Sequence, residues 1–107
     1  MAKPKGSSMI YKAPLDDMRF VLNEVLNVQK NVFALPDVPK VNDEELKGFL
    51  DLGAQTASDI LLPINRSGDM EGCIYDPAAK TVKTPEGFKE AYQAFCEAGF
   101  PSFSCDP

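Results

Sequence analysis

Three stretches of this chain carry apolar residues at helical spacing, and proline or glycine interrupts the chain between them. That alternation constrains the fold more than any other feature. In the first stretch, from about Asp17 to Asn27, Met18, Val21, Leu22, Val25 and Leu26 make one stripe. Asp16 stands where a carboxylate accepts from the orphan amides of a first turn. Leu15 and Phe20 flank it at the spacing of a hydrophobic staple. Pro36 and Pro39 then exclude regular helix from Ala34 to Pro39, whose apolar residues suit a loop lying across a surface.

The second stretch opens with Asn42 and Glu45 at capping-box spacing. Leu46, Phe49, Leu50, Ala54, Ala57, Ile60 and Leu61 continue its stripe. Gly53, Ala54, Ala57 and Ser58 are small enough for a neighbouring helix to approach closely. Pro63 is expected to end or kink this helix, because it removes an amide donor and crowds the preceding turn. Between Asn65 and Lys83 the helical pattern breaks at Gly68, Gly72, Asp76 and Pro77. There, Cys73 to Tyr75 and Thr81 to Lys83 are expected to form a short hairpin. In the third stretch, Thr84 is expected to cap, Pro85 to take the first helical position, and Gly99 to supply a left-handed stop. Phe88, Ala91, Tyr92, Phe95 and Cys96 share its apolar face, with Phe100 spaced to fold back on Phe95. Amphipathic stripes of this kind bury against one another. The fold class that follows is all-α, a small bundle of three main helices with a short β-hairpin excursion.

At 107 residues the chain suffices for one domain that buries roughly two thirds of its unfolded surface. Residues 1–8, rich in Lys, Pro, Gly and Ser, read as a disordered leader or an expression remnant, and residues 9–107 as the domain. A net charge of −5 argues against nucleic-acid binding and against an electrostatic membrane anchor. No apolar run has the length of a membrane span. With no histidine, the chain lacks the Ser-His and Cys-His pairs of most nucleophilic hydrolysis and the commonest transition-metal ligand. Cys73, Cys96 and Cys105 form no C-x-x-C pair. Free thiols in an acidic chain suit a reducing cytoplasm.

Other motifs carry little chemistry. Asp16 and Asp17 are sequence neighbours on a helix and face different ways. Asp69, Glu71 and Asp76 lack the ligand spacing of a calcium loop. No glycine-rich phosphate loop occurs. Asn65-Arg66-Ser67 matches a glycosylation acceptor that a cytoplasmic chain would not use. Phe88, Tyr92 and Phe95 suit a core better than a ligand box, and Cys96 on the same face reads as a small buried apolar residue. Cys105 is the expected exposed thiol. An acyl carrier would need a serine at a helix start, whereas Ser58-Asp59 lies inside one.

Three blocks carry a resemblance. Tyr11-Lys12-Ala13-Pro14-Leu15-Asp16-Asp17-Met18-Arg19-Phe20-Val21-Leu22-Asn23-Glu24-Val25-Leu26 resembles the N-terminal extension of an acyl-CoA dehydrogenase subgroup that includes methylthiopropanoyl-CoA dehydrogenases. Leu61 to Asp69 with Glu71-Gly72-Cys73, and Thr84 to Tyr92 with Gly99-Phe100, are similar to the family's following segments. The likeness runs from Met9 to Pro107.

The resemblance implies a much longer enzyme with an N-terminal helical domain, a middle β domain and a C-terminal helical domain. In such an enzyme a glutamate takes the α proton of an acyl-CoA thioester and FAD accepts the β hydrogen as hydride. Those groups come from the β and C-terminal domains. This chain stops at Asp106-Pro107, before the Gly-Gly stretch that leads toward the β domain. The resemblance therefore transfers no catalytic, flavin-binding or metal-binding residue to any position here, and FAD belongs to the full-length family. The partners it implies are the remaining domains or subunits. The competing expectation is a stand-alone helical interaction module that uses its apolar stripe for a partner or for self-association.

Overall fold

A computed structural model describes residues 10–105. The leader expected at residues 1–8 lies outside the described residues, as do Met9, Asp106 and Pro107. The described chain is mainly helical with one antiparallel hairpin. It divides into two compact units, one built from Lys12–Gln55 with Cys105, the other from residues 10–11 with Thr56–Ser104.

In the first unit, α1 (Leu15–Arg19) starts two residues earlier than the stripe predicts. Pro14, with φ near −77°, stands just before it, and the Pro14 carbonyl accepts the Met18 amide at 3.0 Å. Asp16 is already inside the helix, so its carboxylate caps nothing and instead lies 3.5 Å from Arg19 Nη1. The helix continues as a π-turn, Phe20–Val25. At Asn27 the backbone turns left-handed (φ 46°) before the single turn α2 (Val28–Asn31). Asparagine tolerates that conformation better than most residues do. The expected stripe is not buried: Met18, Val21, Val25 and Leu26 are exposed, Leu22 is half-buried, and the buried apolar residue is Val28 at 6% exposure. The loop after Phe33 is held by Lys40, whose ammonium donates to the carbonyls of Phe33 (2.6 Å) and Leu35 (2.7 Å).

α3 (Asp43–Thr56) begins where the capping box places it. The Glu45 amide donates to Asn42 Oδ1 at 2.8 Å, and the Asn42 amide to Glu45 Oε1 at 3.3 Å. Asp43, Glu44 and Glu45 place negative charge at the positive end of the helix dipole. Helical structure then runs on through a π-turn, Ala57–Leu61, into α4 (Leu62–Glu71). Pro63 thus neither stops the chain nor breaks the helix. It sits in the first turn of α4 directly after the π-turn, where the missing amide costs least.

The second unit corrects a further expectation. Asn65 to Glu71 are helical rather than turn, and Gly68 is buried within α4. A Cβ on Gly68 would overlap Cε1 and Cζ of Phe88, the latter at 2.5 Å. The residue is a glycine because an aromatic ring takes its side-chain space, not because the chain turns there. Gly72 ends the helix with φ 66°. The expected hairpin forms, its first strand one residue later than Cys73 to Tyr75: β1 (Ile74–Asp76) is antiparallel to β2 (Thr81–Lys83), with Tyr75 opposite Val82. Asp76 Oδ1 accepts the amides of Ala78 (3.0 Å) and Ala79 (3.2 Å), closing the turn.

α5 (Phe88–Glu97) starts three residues later than Pro85 suggests. Its N-cap is Gly87 with φ 88°, and neither Thr84 nor any other side chain caps it. Gly99, also at φ 88°, stops the helix as expected, and the rings of Phe95 and Phe100 stack at 5.0 Å. The chain ends its described part in a 3-10 turn, Phe100–Ser102, with Phe103 against Phe100 at 5.0 Å. Of the predicted face of α5, Ala91 is buried at 7% exposure and Phe95 half-buried. Tyr92, at 66% exposure, and Cys96 are exposed, contrary to the expectation of a core position.

Candidate functional site

The concave surface of the second unit is apolar. α4 and α5 approach closely because two glycines permit it: Gly68 makes room for the Phe88 ring, and a Cβ on Gly87 would come within 2.9 Å of Ile64 Cγ2. Beside that contact a groove of about 370 Å³ is lined by Leu61, Ile64, Asn65, Phe88, Ala91, Tyr92 and Phe95. A second hollow of about 320 Å³ is lined by Ile10, Tyr11, Ala57, Leu61, Leu62 and Asn65. Ser58, in the π-turn beside it, donates its hydroxyl to the Tyr11 carbonyl at 3.3 Å. Leu61 and Asn65 line both hollows.

The chemistry these hollows offer is limited. Asn65 is the one amide among their lining side chains, Tyr92 and Tyr11 bring phenols, and none of the lining residues is charged. Tyr92 is tied one turn along α5 to Cys96. That side-chain hydrogen bond, followed by coulombic coupling to the same thiol and slight desolvation, raises the Tyr92 phenol above its ordinary pKa. A phenol held in its neutral form is a hydrogen-bonding group, not a base. An apolar groove with one amide and one neutral phenol fits an aliphatic chain or the side chains of another helix.

The polar chemistry lies in the first unit. Arg19 donates through Nη2 to Asp51 Oδ1 at 2.8 Å, and Lys47 lies 3.4 Å from Asp51 Oδ2. Arg19 Nε is buried with no partner among the described residues. A hollow of about 190 Å³ lies here, lined by Arg19, Leu22, Asn23, Asp43, Leu46, Lys47 and Leu50. Both cations in it are matched by carboxylates, so the cluster stitches α1 to α3 and leaves no excess positive charge for an anion.

The acidic residues singled out in the sequence are separated by the fold and used locally. Glu71 accepts the Glu86 backbone amide through both oxygens at 3.2 and 3.3 Å, while Asp76 closes the hairpin. Among the described residues no three His, Cys, Asp or Glu side chains gather as a metal site. Cys73, Cys96 and Cys105 are all free and exposed, so the expectation for Cys105 holds and that for Cys96 does not. No helix among the described residues is long and apolar enough to cross a membrane. Sequence reasoning missed Asn65 as a groove residue by breaking the helical pattern there, whereas it lies within α4. The available signal was the apolar run Ile60 to Ile64 continuing past Pro63.

No family model matches the chain. Its sequence is similar to a butyryl-CoA dehydrogenase from Syntrophomonas wolfei, at 35% identity over 98 residues, covering 88% of this chain and 16% of that protein. A 3-methylmercaptopropionyl-CoA dehydrogenase from Ruegeria pomeroyi is 29% identical over 96 residues, 90% of this chain and 16% of that protein. A broad-specificity linear acyl-CoA dehydrogenase from Mycobacterium tuberculosis is 32% identical over 92 residues, 75% of this chain and 15% of that protein. The chain spans about a sixth of the length of these curated relatives.

Proposed function

Since this chain is a relative of the acyl-CoA dehydrogenases, we propose that it serves as the N-terminal helical region of a flavin-dependent dehydrogenase acting on acyl-CoA thioesters. Its role is structural: it packs on the remaining domains or subunits and carries no oxidation by itself. The observation that supports this reading is the match of most of this chain to about a sixth of each relative, in a fold that leaves Leu61, Phe88 and Tyr92 exposed along one groove. Such side chains are what a further layer of protein covers.

The hollows among the described residues do not fit FAD. The apolar grooves have no cation on their linings for a pyrophosphate, and Arg19 and Lys47 are already matched by Asp51. No step of the oxidation is assigned to this chain. The test has two arms. Mixed with FAD and passed through gel filtration, the purified chain is expected to retain no flavin absorbance; stoichiometric retention overturns the structural role. Supplied in trans, the chain is expected to co-purify with the Syntrophomonas butyryl-CoA dehydrogenase from which the matching segment has been removed. Absence of a complex, with the truncated enzyme itself folded, overturns the docking role.

A second reading, a stand-alone helical interaction module, is favoured by the number of large apolar side chains left exposed, among them Phe20, Val25, Met70 and Tyr75. Sedimentation over a concentration series separates the two. Saturable self-association of the isolated chain supports the module, and a clean monomer that binds no hydrophobic dye counts against it.

A further inference from the structure

We infer that the π-turn Ala57–Leu61 is a built-in register shift: it holds one residue more than an α-helix would, and so keeps Gly68 against Phe88 and Leu61 and Asn65 on both grooves. In the π-turn the Leu62 amide donates to the Ala57 carbonyl, five residues back, where an α-helix would use Ser58. One extra residue held in a turn offsets everything after it by one position, a rotation of about 100°.

The contacts downstream show why that phase matters. The position facing the Phe88 ring admits no Cβ, since one would lie 2.5 Å from Cζ, and the residue there is Gly68. Were the helix to run as plain α through residues 57–61 with the same sequence, each downstream position would be taken by the preceding residue. Ser67 would then meet the Phe88 ring, and its Cβ would collide where Gly68 has none. Pro63 would take the place of Ile64 beside Gly87, the position that packs α4 onto the start of α5. Asn65 and Ile64 would turn away from the grooves they line.

Pro63 fixes where the extra residue is held. Its ring crowds the carbonyl four residues back and it donates no amide, so the backbone immediately before it is the least costly place to widen. The sequence thus encodes the offset twice, with a proline that permits it and a glycine five residues later that requires it. This holds whatever covers the grooves, and it does not depend on the docking reading above.

The test uses the full chain labelled for NMR. In the parent, through-hydrogen-bond coupling is expected to join the Leu62 amide to the Ala57 carbonyl, and the Gly68 α-protons to carry a ring-current shift from Phe88. Loss of that shift in Phe88→Leu establishes its source. Deletion of Asp59, an exposed residue of the π-turn, removes the extra residue. It is expected to give an unbroken α-helix that keeps the Gly68 ring-current shift. Insertion of an alanine between Asp59 and Ile60 is expected to abolish it. Coupling of Leu62 to Ser58 in the parent overturns the inference outright, whether or not either variant folds. So does a helical deletion variant in which the Gly68 shift is lost.

Discussion

Within Lys12–Gln55 the ties between elements run through polar groups: Arg19 to Asp51, Gln29 to the Val41 carbonyl at 2.9 Å, and Lys40 to the carbonyls of Phe33 and Leu35. Within Thr56–Ser104 one polar tie, Glu71 to the Glu86 amide, is joined by apolar contacts that glycine makes possible: Gly68 under Phe88, Gly87 beside Ile64, and Phe95 stacked on Phe100. The difference teaches what each region tolerates. An exposed hydrogen bond or ion pair contributes little and is shared with water, so losing one costs on the order of 1 kcal/mol or less. A glycine at positive φ, in contact with a neighbouring helix, has no substitute. A side chain there is strained by its own backbone and also displaces what it touches.

The largest expected effect tests the apolar half of that contrast. Gly87→Val adds a branched side chain at φ 88°, where even a Cβ meets Ile64 at 2.9 Å. It is expected to cost roughly 3 kcal/mol in urea unfolding and to separate α4 from α5. If it costs no more than the polar variants below, the contrast between the two regions fails.

Asn42→Ala removes the side-chain oxygen that caps α3 and leaves the Glu45 amide without it. The expected loss is about 1 kcal/mol, with faster amide exchange confined to the first turn of α3. Exchange that instead spreads through Arg19 and Gln29 would show that the capping box carries more than its own helix. The smallest effect is expected for Asp51→Asn, which takes the anion from Lys47 and leaves Arg19 with Asp16 alone. Asp51 and Lys47 are substantially exposed, so the loss is expected to stay below about 1 kcal/mol and to vanish near 1 M NaCl. An effect that persists in high salt would mean that the buried Arg19 Nε makes this pair part of a core.

Local signals in the chain were legible wherever one residue type settles one backbone geometry. Asn42 with Glu45 announces the start of α3, and Gly99 the end of α5. Asp76-Pro77 places the hairpin turn between two short β-prone runs. Signals that depend on a neighbour misled. Gly68 reads as a turn residue until Phe88 is seen in its side-chain space, and Asp16 reads as a cap although Pro14 and Leu15 already lead into the helix. The candidate groove was legible only in part: Phe88, Ala91 and Phe95 share a helical face in the sequence, whereas Leu61 and Asn65 join them through the π-turn.

The likeness to the acyl-CoA dehydrogenases also came from the sequence, through its three ordered blocks, and the relatives bear it out. By itself, then, the sequence determined the helical class, the hairpin, the start of α3, the end of α5 and the kinship, because capping, turn and periodicity rules act over a few residues. Only the tertiary structure decided which apolar residues are covered. Tyr92 and Cys96 lie on the stripe that periodicity assigns to a core, yet both are exposed while Ala91 beside them is buried. Periodicity records that a face is apolar; what lies against that face depends on segments distant in the chain, and no local pattern encodes it.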